Sequence, residues 1–144
     1  MIMSLHRDKR PRAEHPFVGK WHITGMELWD DDYVNMERRA FIEIEPDNQG
    51  AFQFGLVRGE IDGCLESHED EPPGGRRESI DPASDRFMFT WEGFDELDEV
   101  SGVGWMRLTS ANQAIGMIKS HGGDRSKFDA RRVRRRRGGE ASRR

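Results

Sequence analysis

Alternation of apolar and polar residues over short runs is the feature that most restricts what this chain can become. In Gly19–Thr24, Trp21 and Ile23 stand on one side, with Lys20, His22 and Thr24 on the other. Ala40, Ile42 and Ile44 alternate with Phe41, Glu43 and Glu45. Pro46-Asp47-Asn48-Gln49-Gly50 then supplies turn chemistry, and Ala51-Phe52-Gln53-Phe54 resumes the alternation, which predicts a hairpin. Further strands are predicted over 59–65, 86–92, 103–109, 113–119 and 127–133, with Phe87, Phe89 and Trp91 as the clearest one-sided apolar row. Helical spacing is confined to 27–36, where Trp29 and Tyr33 stand four apart around three aspartates, and one short helix is expected there. Roughly eight short strands with turns between them predict an all-β fold, an antiparallel meander closed or nearly closed as a small barrel. A flattened two-sheet sandwich is the alternative.

Composition locates the folded part. Ile, Leu, Val and Phe make up 19% of the chain, close to the level at which disorder sets in. They concentrate in 16–133, which also holds all four tryptophans. A single domain over 16–133 is therefore expected, with a disordered N-terminal segment over 1–15, an Arg-rich disordered tail over 134–144, and a mobile loop over 66–85. Charge divides along the same lines: +2 for residues 1–15, −13 for 16–130 and +7 for 131–144. The only cysteine, Cys64, excludes an intramolecular disulfide and makes a reducing cytoplasm the expected compartment. No apolar run is long enough for a signal peptide or a membrane span, so no membrane partner is expected.

Gly19-Lys20-Trp21 opens the first strand, and Arg131 and Arg132 lie on the last. This combination resembles the Gly-x-Trp signature of lipocalins and related calycin barrels. The resemblance implies an eight-stranded calycin-like barrel in which Trp21 packs at the closed end and an arginine, Arg132, stacks over it. A guanidinium over an indole face gains about 0.5–2 kcal/mol. Met26-Glu27-Leu28-Trp29-Asp30, Phe52-Gln53-Phe54-Gly55, Trp91-Glu92-Gly93-Phe94-Asp95-Glu96 and Gly102-Val103-Gly104-Trp105 are similar to segments of a group of small uncharacterised bacterial proteins. That likeness covers about 17–133 and implies one compact domain, with no catalytic residue to carry over.

Acidic and aromatic residues recur together near predicted strand ends. Trp29, Asp30, Asp32 and Tyr33 form one cluster; Trp91, Glu92, Asp95 and Asp98 form the other. Neither has the ligand spacing and central glycine of a calcium loop, and solvated acidic loops are the plain alternative. The chain has no Gly-x-Ser-x-Gly elbow, Walker loop, His-Glu-x-x-His or dinucleotide glycine fingerprint, and its five histidines share no metal-ligand spacing. No catalytic residue, cofactor or metal is assigned. The reading is a non-enzymatic binding or interaction module for a protein or small-molecule partner, with the two acidic–aromatic clusters as its recognition rim. A lipocalin-like carrier of an apolar ligand is the first alternative, its cavity lined by Ile23, Ile42, Phe54, Phe89, Trp105 and Met117. The second is a nucleic-acid-associated protein working through Arg134, Arg135, Arg136 and Arg137 of the tail.

Overall fold

The computed structural model describes residues 15–67 and 85–134. The rest of the N-terminal segment, the loop expected at 66–85 except its flanking residues, and Arg135, Arg136 and Arg137 lie outside the described residues.

Eight strands form one closed antiparallel barrel in meander order: β1 (Gly19–Met26), β2 (Phe41–Ile44), β3 (Gln49–Phe54), β4 (Val57–Ser67), β5 (Asp85–Asp95), β6 (Asp98–Ser110), β7 (Gln113–Ser120) and β8 (Arg125–Arg132). A four-residue helix, α1 (Asp31–Val34), sits in the β1–β2 connection. Closure comes from β1 pairing with β8, Trp21 opposite Arg132 and Ile23 opposite Ala130, so every strand edge is satisfied.

The alternation sends one residue in two inward, and the inner positions fill the barrel with side chains. Phe52, Phe54, Phe87, Phe89, Trp91 and Phe128 are all buried. Three of these rings fit because their cross-strand partners are glycines. Phe52 faces Gly59, Phe89 faces Gly104 and Phe128 faces Gly116 across the ladders. A methyl group on Gly116 would stand 2.4 Å from Phe128 Cζ and 2.4 Å from the Trp105 carbonyl oxygen, so the ring lies directly on the bare backbone.

This pairing also explains a departure from the expected register. Trp105 and Met117, expected inside, face outward, because Gly104 with Met106 and Gly116 with Ile118 take the inner positions on β6 and β7. The Trp105 ring instead lies on the outer wall beneath the Arg86 guanidinium, 4.8 Å from its centroid.

Both ends of the barrel are plugged. At one end, Trp21 and Phe17 are fully buried, and the Trp21 indole N–H donates to the Phe17 carbonyl at 3.0 Å. The Arg132 guanidinium lies 4.3 Å from the Trp21 ring centroid. It donates to the carbonyls of Pro16 (2.6 Å), Val18 (3.0 Å) and Ala111 (3.2 Å). His15, expected to be outside the folded body, packs on Phe17 and Phe87 and meets Asn48 Oδ1 at 2.7 Å. At the opposite end α1 acts as the plug. Asp30 caps it by accepting from the Tyr33 amide, Val34 is buried, and the Val34 carbonyl accepts from the Gly55 amide at 2.8 Å.

Candidate functional site

Since rings occupy the inside and both ends are covered, the surface offers the places where a partner can bind. The connections at the α1 end hold most of the acidic residues singled out in the sequence. α1 is anchored to the β3–β4 turn, where the Leu56 amide donates to the Tyr33 hydroxyl at 3.3 Å. The β5–β6 turn is anchored to the same place from the other side, the Glu96 amide donating to the Leu56 carbonyl at 3.0 Å. Asp30 and Asp32 are thereby brought to the same end of the barrel as Asp95 and Asp98, on either side of Gly55-Leu56, with all four side chains exposed.

The aromatic members of the two clusters are placed differently. Trp29 is half-buried, its ring tilted against Phe54 at 5.2 Å and against Tyr33 at 5.9 Å between centroids. Tyr33 is half-buried too, its ring occupying the space where a Gly55 side chain would be. Trp91 points into the barrel and is 3% exposed, whereas Glu92, the next residue along the strand, necessarily faces outward. The apolar groups that do reach solvent at this end are Leu28, Met36, Phe94 and Leu97, the last 92% exposed. Nothing in the alternation distinguishes these from core residues; their positions beside turns are the only sequence signal.

The β5–β6 turn is a two-residue hairpin, Glu96-Leu97, between the register partners Asp95 and Asp98. Glu96 has φ +61°, a left-handed backbone at a position hairpins normally give to glycine. That conformation costs a residue with a Cβ about 1–2 kcal/mol. The tip thus combines backbone strain, four carboxylates in five residues and one fully presented leucine.

From this tip an open furrow of about 900 Å³ runs down the outer wall, bordered by Phe41, Arg58, Glu60, Glu92, Phe94 and His121. A second hollow of about 680 Å³ shares Glu60, Glu92 and His121 with it and extends to Asp62 and Val103. Glu60 and Glu92 are direct register partners on β4 and β5, both facing outward. Like charges directly opposed on a sheet are destabilising. No carboxylate group or histidine cluster among the described residues converges as metal ligands would, and no helix among them is long and apolar enough to cross a membrane.

Comparison with protein-family models gives no match, and comparisons with curated proteins and with solved structures give none either.

Proposed function

We propose that this protein is a non-enzymatic binding module of the bacterial cytoplasm, and that it takes a basic, partly apolar protein segment on its acidic end and the adjoining furrow. The observation that carries this reading is the β5–β6 tip. It holds Leu97 92% exposed among Asp95, Glu96, Asp98 and Glu99, on a backbone strained at Glu96. Strain and unfavourable charge placement persist where they serve recognition more often than where they serve stability. The facing pair Glu60 and Glu92 continues the same negative surface into the furrow, where Phe94 supplies an apolar floor. The rings packed over glycines in the interior favour recognition on the outside over carriage of an apolar ligand within. The likeness to calycin barrels rests on the closed end, Gly19, Trp21 and Arg132, and adds no ligand to this reading.

Titration of the 15N-labelled full chain with a synthetic Lys/Leu peptide tests it. Saturable shifts are expected at 94–99 and around Glu60, Glu92 and His121, and they should weaken in Leu97→Ser and Glu92→Gln. Absence of saturation, or shifts confined to the β1–β8 side, would sink the proposal.

A further inference from the structure

Toward the Trp21 end, the outer wall of β5, β6 and β7 differs from the acidic furrow further along the same strands. Phe87, Phe89, Met106, Gly116 and Ile118 take the inner positions there, so Met88, Trp105 and Met117 stand outside in one direct register row, each half-buried. Val103, two residues from Trp105 on the same face, is 46% exposed. The charged groups of this stretch are Arg86, Arg107 and Lys119, and residues 86–90, 103–109 and 115–119 hold no carboxylate. Carboxylates do border it. Asp62 and Glu66 flank it on β4, Asp129 flanks it on β8 together with Arg125 and Lys127, and Asp85 is buried at the inner position before Arg86. An apolar row with cations beside it is thus framed by a mixed rim. Trp, Met and Arg are the side chains enriched where proteins bury surface against one another.

The two arginines add an independent observation. Arg86 and Arg107 stand side by side, one step beyond the register pair Phe87 and Met106. Like charges so placed destabilise a sheet. Each Nε is buried with no hydrogen-bond partner among the described residues, a costly state for a donor. A carboxylate held against the pair from outside relieves the repulsion and supplies an acceptor, and an apolar side chain next to that carboxylate covers the Met88–Trp105–Met117 row. The chain itself carries such a group at the β5–β6 tip, where Leu97 is 92% exposed between Asp95-Glu96 and Asp98-Glu99. The tip cannot reach its own wall, because Met88 and Asp95 lie on one strand about 24 Å apart. We propose that the tip of one copy of this protein docks on the β5–β6–β7 wall of a second copy, Leu97 against the apolar row and the tip carboxylates against Arg86, Arg107 and Lys119. The inference rests on the reading of the acidic tip as a binding element, and it identifies the basic, partly apolar partner of that tip. The two surfaces differ, so the contact is heterologous and every copy carries one of each.

Sedimentation velocity of the full chain over a rising concentration series provides the test. Wild type should self-associate, and more weakly at roughly 0.5 M salt, where surface charge is screened. Leu97→Ser should weaken association about tenfold or more, the effect of one leucine side chain no longer buried. Arg86→Gln with Arg107→Gln should weaken it as well. Lys119→Glu should do so while leaving the Arg86–Trp105 stack in place. A mixture of the Leu97→Ser and Lys119→Glu chains should associate more strongly than either alone, since the first supplies an intact wall and the second an intact tip. Monomeric wild type, association that neither tip nor wall variants alter, or a mixture no stronger than its components would overturn the proposal. Titration with the Lys/Leu peptide separates this outcome from the reading beneath it. A monomer that still binds the peptide at 94–99 overturns self-association alone, whereas a monomer that does not bind it overturns both.

Discussion

Removing the Arg132 guanidinium should open the Trp21 end of the barrel, and the size of the effect follows from what that group touches. It stacks on Trp21 at 4.3 Å, an interaction of about 0.5–2 kcal/mol when partly desolvated. It also donates to the carbonyls of Pro16 and Val18 and so fixes the chain ahead of β1. Charge-assisted bonds of this kind contribute about 1.5–3 kcal/mol when fully buried. The guanidinium is only partly covered and water can reach the carbonyls once it leaves, so about 1 kcal/mol for each is the better figure. The bonds to Ala111 are on the exposed side and add little. Arg132→Ala should therefore destabilise the fold by about 3 kcal/mol, or roughly 10 °C in Tm for a domain of this size. Arg132→Lys keeps a charge over the ring but cannot span both carbonyls, so about half the loss should remain. Urea unfolding followed by tryptophan fluorescence measures both. A loss below about 0.5 kcal/mol in Arg132→Ala, with the m-value unchanged, would mean that Trp21 and Phe17 close the end by packing alone and that the guanidinium is incidental.

Gly116→Ala should destabilise by about 2 kcal/mol or more, because the new methyl meets the Phe128 ring and a backbone oxygen that cannot move aside; thermal unfolding reads it. Glu96→Gly should do the opposite and stabilise by about 0.5–1 kcal/mol, the relief of left-handed strain exceeding the added freedom of the unfolded chain. Cys64, though exposed, should alkylate more slowly than a free thiol near pH 8. Burial raises its pKa first, then the Glu66 carboxylate that accepts from Sγ at 3.6 Å, then the charge of Asp62. Glu66→Gln should accelerate the reaction with iodoacetamide. Because the His22 pKa is lowered in the folded state, the unfolded chain takes up the proton first as pH falls. Stability from this group is full above about pH 6.5 and is lost as pH drops through the folded value, a slope that His22→Gln should abolish in pH-dependent urea titrations.

Strand number, hairpin order and closure were legible because alternation and turn residues are local signals, and eight paired segments leave few other ways to satisfy the edges. Inward and outward faces were less so wherever both faces carry apolar residues. On β6, Val103 and Trp105 compete with Gly104, Met106 and Leu108. The choice is made by Phe89 across the ladder, which needs a glycine beneath it. The same long-range pairing turns Met117 outward in favour of Gly116 under Phe128. Trp91 illustrates the limit most directly. It belongs both to a one-sided row with Phe87 and Phe89 and to an acidic segment, and strand geometry forbids it from sharing a face with Glu92. For the candidate site, sequence could bring acidic residues to strand ends but could not show that Leu97, rather than an indole, is the exposed apolar group. That depends on which turn residues are covered by α1.

Net charge is a poor guide to such a molecule. Eight strands about 4.8 Å apart around a closed wall set opposite strands at least about 12 Å apart, before side chains add to the distance. The Debye length at physiological ionic strength is about 8 Å. A partner on the β4–β5–β6 furrow therefore responds mainly to Glu60, Glu92 and the acidic tip, and little to Lys20, Glu43, Asp129 and Arg131 on the β8–β1–β2 wall. Phe41 is where the two surfaces meet: it borders the furrow on one side and lies beneath Lys20 and Arg38 on the other. A barrel filled with rings and stapled at both ends has little interior freedom with which to transmit a signal, so communication between the faces would have to pass through that edge or through the solvent.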